Sequence, residues 1–190
     1  MPSAFFNPLP GSEKEARHIA ELLGKSKQTV LLCGTAATKN AVVHHIERST
    51  VIHLATHAFE EDPFNRTPST PSVAYNDFST KGTIVLAKSD EGCSGMLTSL
   101  EVQNMMIPAE LVVLSCCKTA QGKVTHEGTL GLSQAFISAG SGAVLVTLWS
   151  IPDLQTAELM KRFYACYVSS RDAASALQQA MLHMNKLEGV

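Results

Sequence analysis

Short apolar runs recur along the chain, separated by longer segments in which apolar residues return at helical spacing. The runs comprise residues 29–33, 51–56, 83–87, 111–115 and 143–148. Short runs rich in Val, Ile and Leu are typical of strands that are buried on both faces, as the strands of a parallel sheet are. The pattern therefore predicts a strand at each of these positions.

Helix starts are marked by capping residues. The capping box pattern occurs twice, at Ser12 with Glu15 and at Thr98 with Glu101. In this motif the side chain of each residue accepts a hydrogen bond from the backbone N–H of the other. The predicted helices are 12–24, 38–47, 98–108, 128–139, 153–168 and 172–186. Strands that alternate with helices indicate an α/β fold, with a mostly parallel sheet and helices on both faces.

The length of 190 residues fits one domain. Residues 1–11 contain three prolines and a glycine and predict an extended lead-in, so we expect a single domain over residues 12–188. Residues 60–80 contain three further prolines and predict a long irregular loop. A loop that follows a strand end is a natural wall for a substrate cleft, and a disordered insertion is the alternative.

Charge and hydropathy argue against several classes of function. The net charge is −2 and no basic cluster is present, which argues against a nucleic-acid partner. No apolar stretch reaches the roughly 18 residues that cross a membrane, and the first residues lack the basic and apolar parts of a signal peptide. We therefore expect no membrane association and a cytoplasmic location.

The cysteine content points to reduced thiols. The five cysteines are an odd number and have neither the spacing of metal ligands nor that of a disulfide framework. They are Cys33, Cys93, Cys116, Cys117 and Cys166. We therefore expect an intracellular, reducing compartment, and a site that uses no metal and no cofactor.

Two of the apolar runs end in residues that can act together chemically. Residues 51–56 lead to His57, and residues 111–115 lead to Cys116 and Cys117. The carboxyl ends of parallel strands meet at one edge of the sheet, where ligands bind, and neighbouring strands lie about 4.8 Å apart. An imidazole beside a thiol favours the thiolate, which is an activated nucleophile. The pattern predicts a Cys–His pair at this edge.

Each member of the pair has a competitor in the sequence. Successive strand residues point to opposite faces, so one of Cys116 and Cys117 faces the core and the other faces the site. His53 and His57 are four residues apart, which would place both on one face of a continuous strand. A histidine within a strand is more often a packed, hydrogen-bonded side chain, so His57 at the strand end is the better candidate for a base.

The segments around these strand ends resemble a known family. Residues 53–58 read His-Leu-Ala-Thr-His-Ala, and residues 112–120 read Val-Val-Leu-Ser-Cys-Cys-Lys-Thr-Ala. They are similar to the signatures His-Leu-Ala-Thr-His-Gly and Val-Val-Leu-Ser-Ala-Cys-Glu-Thr-Gly of the CHAT domain, a module related to caspases and separase and found attached to tetratricopeptide repeats. The similarity continues through Leu9-Pro10-Gly11, Glu127-Gly128, Ala139-Gly140, Leu148-Trp149 and Asp153.

The resemblance implies a caspase-like three-layer sandwich and gives roles to individual residues. Cys117 aligns with the family's nucleophile and His57 with its general base. The backbone N–H groups of Cys117 and Ala58 are implied as donors to the oxyanion that forms during attack. Ala58 replaces a glycine, and alanine would be strained there if the backbone required a positive φ.

Substrate-binding residues are implied less directly. Asp153 resembles an acidic residue with which separase holds a basic side chain. Glu127 is another acid near a loop rim, and Lys118 stands where the family usually has an acid. The resemblance also implies that the chain is the carboxyl-terminal part of a longer protein, with tetratricopeptide repeats or other regions of that protein among its partners.

Two functions fit these observations. The first is a cysteine endopeptidase that uses a Cys–His dyad to cleave a peptide bond in a partner protein, so that its substrate is a protein or peptide. The alternative is a non-catalytic interaction or scaffold domain of a repeat-containing protein.

Overall fold

The structure, a computed structural model, describes residues 9–24, 28–59, 82–89, 94–115, 126–147 and 153–187. The strands are β1 Val51–Leu54, β2 Ala58–Phe59, β3 Thr83–Val85, β4 Met96–Thr98, β5 Leu111–Leu114 and β6 Val144–Val146. The helices are α1 Pro10–Gly24, α2 Lys39–Ile46, α3 Ser99–Gln103, α4 His126–Ser138, α5 Asp153–Ser170 and α6 Ala173–Leu187. They form two compact units, one with all the strands and α2 to α4, the other with α1, α5 and α6.

A parallel sheet is the centre of the first unit. Its order is β1-β5-β6, and both neighbouring pairs are parallel. Every residue of the central strand β5 is at most 2% exposed, as expected for a parallel strand that is covered on both faces. The α/β class is confirmed, and the strand that leads to His57 is the neighbour of the strand that leads to the cysteines.

A small antiparallel sheet completes the strands of this unit. Its order is β2-β3-β4, and β3 carries residues of the predicted strand 83–87. The strands of both sheets share one apolar core with the three helices of the unit. That core consists of Val42, Ile46, Ile52, Leu54, Ile84, Leu97, Val102, Ile107, Ala109, Val112, Leu114, Leu132, Ala135, Phe136 and Ala139.

One predicted strand is wrong. Residues 29–33 have no strand conformation, and Val30 and Leu31 are 51% and 38% exposed. The chain passes from the helical unit to the sheet unit in this segment, and no described strand pairs with it. An apolar run becomes a strand only where a neighbouring strand accepts and donates its backbone hydrogen bonds.

The capping predictions have different outcomes. Thr38 caps α2 by accepting from the Ala41 N–H at 3.3 Å, and the capping box at Thr98 is formed. At Ser12 the prediction is wrong, because α1 begins at Pro10 and Ser12 lies buried within it. Proline at the first helical position lacks only an N–H that has no intrahelical partner there, so the helix starts before the capping box.

The second unit is a set of helices around an aromatic cluster. The rings of Phe163 and Tyr164 meet edge to face at 5.0 Å, and those of Phe163 and Tyr167 stack at 5.7 Å. Burial first, then nearby Glu15 and Tyr167, raise the pKa of Tyr164 well above its ordinary value of 10.0. Arg171 ends α5 with a φ of 57° and places its guanidinium 5.3 Å from the Tyr167 ring centre, a cation–π contact.

Glu101 links α3 to α2. Its carboxylate accepts the Thr98 N–H at 3.0 Å and the Lys39 ammonium at 2.5 Å. Partial burial pushes the pKa of Glu101 up, but the bonds from Lys39 and Thr98 outweigh it, so that the pKa lies below its ordinary value of 4.5. The ionised form of Glu101 is therefore favoured in the folded protein.

The pairing of β3 with β4 depends on a glycine. Gly95 has a φ of +69°, and its carbonyl accepts the Leu86 N–H at 2.7 Å. A Cβ at this position would lie 2.6 Å from the Leu86 carbonyl oxygen, which is backbone and cannot move without breaking the pairing of the two strands.

We expect Gly95→Ala to lower the free energy of unfolding by about 2 to 4 kcal/mol, from left-handed backbone strain plus overpacking. Gly34→Ala is the matched control, because Gly34 has a φ of +55° but a Cβ added there would meet nothing within 4 Å. It should cost only the strain, about 1 kcal/mol. Urea denaturation followed by circular dichroism measures both, and equal losses would contradict the close approach at Gly95.

We expect Glu101→Gln to weaken the acid dependence of stability. Because the folded pKa is depressed, the ionised carboxylate stabilises the fold above pH 4.5, and this stabilisation is lost as the pH falls through the folded pKa. Glutamine keeps the cap but loses the charge. The variant should be less stable than the wild type at pH 7, and the difference should shrink below pH 4.5.

Urea midpoints at several pH values between 3 and 7 measure this difference. Glu13→Gln is the control, since Glu13 and Arg17 form an ion pair in which both side chains are more than half exposed, and such pairs contribute little. A Glu101→Gln curve that runs parallel to the wild-type curve from pH 7 to pH 3 would contradict the prediction.

Candidate active site

His57 lies where the chain crosses from the parallel sheet to the antiparallel sheet. The Thr56 hydroxyl donates to the Val85 carbonyl at 2.7 Å, and the Val85 N–H donates to the His57 carbonyl at 2.9 Å. His57 is 8% exposed. Strand β3 therefore holds the backbone on both sides of the Thr56–His57 peptide bond.

These two bonds shorten the predicted strand 51–56. Strand β1 ends at Leu54, because Thr56 and His57 bond to β3 and leave the ladder with β5. The alternation that would have placed His53 and His57 on one face therefore does not extend to His57. His53 is half-buried within β1, opposite Val113 of β5, which is the position predicted for a packed histidine.

Strand β5 leads to the predicted nucleophile. Ser115 continues the ladder after its last residue by donating its N–H to the Leu54 carbonyl at 2.9 Å, and it is 3% exposed. Cys116, Cys117 and Lys118 lie outside the described residues. The pairing of the two strands is confirmed, and the pairing of Cys117 with His57 stays a prediction.

Ala58 has a backbone orientation that follows from its ladder. The bond from Val85 to His57 makes these two residues a hydrogen-bonded pair, so the next pair, Ala58 and Ile84, is the non-hydrogen-bonded one. The N–H of Ala58 therefore points away from β3. Since β2 is an edge strand of the described sheet, this N–H faces outward from it.

The backbone of Ala58 does not have the positive φ that would strain an alanine. Ala58 lies in a regular strand, and Arg171 is the non-glycine residue with a positive φ in the described part of the chain. Alanine in place of the family's glycine therefore causes no backbone strain at this position, and the expected penalty does not apply.

The substrate-binding candidates remain untested. Glu127 is the second residue of α4, and Asp153 is the first residue of α5. The side chains of both, and the whole of Lys118, lie outside what the structure describes. Asp153 also belongs to the helical unit, whereas His57 belongs to the sheet unit.

Sequence reasoning missed Thr56 and Val85 as residues that hold His57. Thr56 appeared as the last residue of a strand, and a hydroxyl directly before the histidine is a weak signal by itself. Val85 lies 29 residues from Thr56 along the chain, and nothing in an apolar run indicates which residue of another sheet it bonds to.

Two features are absent from the described part of the chain. No helix in the described ranges is long and apolar enough to cross a membrane. Within the same ranges, no three His, Cys, Asp or Glu side chains come together as metal ligands would.

Lys39 and His44 line an open groove of about 540 Å³ between α2 and α3.

Comparison with known proteins gives three matches. A family model described as the CHAT domain matches residues 1–190. The human protein named tetratricopeptide repeat protein 28 is 30% identical over 204 residues, which cover 95% of this chain and 8% of that protein. The mouse protein of the same name is 29% identical over 204 residues, with the same coverage. The chain thus spans about 8% of the length of the curated relatives it matches.

Proposed function

The chain belongs to the CHAT domain family, which is caspase-like, and from this we propose that it is a cysteine endopeptidase with His57 as general base and Cys117 as nucleophile. Its substrate is a peptide bond in a partner protein. The nucleophile acts as a reduced thiol, so we place the protein in the reducing cytoplasm.

The observation that carries the proposal is the register between β1 and β5. Val51 pairs with Leu111 and Leu54 with Leu114, a constant offset of 60 residues. His57 and Cys117 each follow the last of these pairs by three residues along the chain. Adjacent parallel strands lie about 4.8 Å apart, which is a suitable separation for a thiol and an imidazole at their carboxyl ends.

The chemistry follows from these groups. His57 removes the thiol proton of Cys117, and the thiolate attacks the carbonyl carbon of the peptide bond. The carbonyl oxygen becomes an oxyanion, which the N–H groups of Ala58 and Cys117 stabilise. The C–N bond then breaks as the imidazolium returns its proton to the leaving amine. Water hydrolyses the thioester and restores the thiol.

The orientation of Ala58 supports its part in this scheme. An oxyanion donor must have an N–H that the sheet does not use, and the N–H of Ala58 points away from β3. Asp153, Glu127 and Lys118 are the proposed contacts to substrate side chains, with the two acids suited to a basic side chain and the lysine to an acidic one.

A second function is favoured by the comparisons. The curated relatives carry the name of a repeat protein, and the matched segment covers only 8% of their length. We propose as the alternative that the domain binds tetratricopeptide repeats or other regions of a parent protein without cleaving them. Both functions have protein partners, and neither requires nucleic acid, a membrane, a metal or a cofactor.

We expect iodoacetamide to alkylate Cys117 at least about tenfold faster than Cys33 or Cys166 at pH 7, because a neighbouring imidazole raises the thiolate fraction. His57→Gln should reduce the rate at Cys117 to that of the other cysteines. Peptide mapping by mass spectrometry gives the rate for each residue in one experiment.

His53→Gln is the matched control, since it removes a half-buried imidazole from the same segment and should leave the Cys117 rate unchanged. Equal rates at all cysteines of the wild type would contradict an activated nucleophile.

A peptide library incubated with the wild type and with Cys117→Ala then separates the two functions. Cleavage that requires Cys117 supports the peptidase, and fast alkylation without cleavage supports the binding domain.

We expect Ala58→Pro to lower peptide cleavage by about a hundredfold or more, because it removes one oxyanion donor. The variant should still fold, since proline is tolerated on an edge strand where its missing N–H is not used. Phe59→Pro is the control, because the ladder uses the N–H of Phe59, and it should lower the urea midpoint. Full cleavage activity in a folded Ala58→Pro variant would remove Ala58 from the mechanism.

A further inference from the structure

Thr56 holds the segment before His57 through its side chain. Residues 55–57 connect β1 of the parallel sheet to β2 of the antiparallel sheet, and the regular ladder with β5 does not include Thr56. Its hydroxyl instead donates to the Val85 carbonyl at 2.7 Å, 29 residues away along the chain. This distance is a normal one for an O–H···O hydrogen bond, and the partly buried position makes the bond stronger than it would be in water.

Val85 bonds to the crossing segment with both of its backbone groups. Its carbonyl accepts from Thr56, and its N–H donates to the His57 carbonyl at 2.9 Å. The two bonds lie on either side of one peptide unit. Together they limit rotation of that unit more than either bond would alone. Neither of the two bonds involves the His57 imidazole.

The strand that carries Val85 is itself held in place. Val85 pairs with Met96 of β4, and the next residue, Leu86, donates to the Gly95 carbonyl at 2.7 Å. One residue further, Ala87 donates its N–H to the Ala37 carbonyl at 2.9 Å, just before α2. The Val85 carbonyl that accepts from Thr56 therefore belongs to a strand that is hydrogen-bonded to β4 and to Ala37.

We infer that Thr56 is a positioning residue, whose hydroxyl fixes the direction of His57 through the bond to Val85. The inference rests on the proposed function in one respect, that His57 is the general base. Without the hydroxyl, Val85 keeps its bond to the His57 carbonyl and loses its bond to the Thr56 side chain. Small displacements of a catalytic group have large effects on rate, because the reacting atoms must be aligned.

The test compares Thr56→Val, which keeps the branched shape and loses the hydroxyl, with Thr56→Ser, which keeps the hydroxyl. We expect Thr56→Val to lower the alkylation rate of Cys117 at pH 7 by about tenfold or more and to alter its pH profile. Thr56→Ser should restore most of the rate. Hydrogen exchange at the Val85 amide should become faster in Thr56→Val and stay near the wild-type rate in Thr56→Ser.

Ile52→Val is the control for stability, because it removes one methylene from the buried face of β1 and leaves both bonds to Val85 intact. It should not change the alkylation profile of Cys117. An unchanged profile in Thr56→Val, with faster exchange at Val85, would overturn the inference, since the bond would then be structural only.

The NMR resonances of the His57 ring, measured in the full chain, separate this inference from the proposed function. If wild-type Cys117 reacts no faster than Cys33, the proposed function fails. Thr56 then remains a positioning residue only if Thr56→Val shifts the His57 resonances and Thr56→Ser does not. If neither variant shifts them, the inference fails as well.

Discussion

The parallel pairing of β1 with β5 is the interaction on which the rest of this structure depends. The central strand β5 is buried along its whole length, so its backbone hydrogen bonds have no water to replace them and a shift of register would leave buried groups unpaired. The register is therefore rigid. It brings Leu54 level with Leu114 and sets the starting points of the two segments that carry the proposed chemistry.

The second constraint is the way the chain leaves this ladder. After Leu54 it turns into the antiparallel sheet, and Val85 bonds to both Thr56 and His57. The position of the proposed base therefore depends on the antiparallel sheet, whose strand β2 also carries Ala58, a proposed oxyanion donor. That sheet depends in turn on Gly95, where the backbone approaches the Leu86 carbonyl too closely for a side chain. Residues far from the site along the chain thus determine its geometry.

Membership of the CHAT family and the described geometry support different parts of the proposed function. The family match covers the whole chain, and the proposed roles of nucleophile and base come from the motifs that resemble that family. The structure supplies the framework that holds His57, and a backbone at Ala58 that suits alanine as well as glycine. A peptidase and a binding domain would share this framework, and cleavage that requires Cys117 is the property in which they differ.

At Thr38, Thr98 and Asp172, where the partner lies nearby along the chain, the sequence by itself determined the local structure. The caps at Thr38 and Thr98 bond to N–H groups three residues away, and Asp172 likewise caps α6 by accepting from Ala174 and Ser175. The neighbouring strands that end near His57 and the cysteines were also predictable, because an apolar run followed by a polar turn is a local pattern.

The tertiary structure decided the features that depend on distant partners. The run at 29–33 has the composition of a strand, yet no described strand pairs with it. Strand β1 stops at Leu54 because Val85 competes for the backbone that follows. Ser12 is a local exception, since Pro10, two residues before it, begins the helix earlier. A backbone hydrogen bond needs a partner at about 3 Å, and only the folded chain determines which residue that partner is.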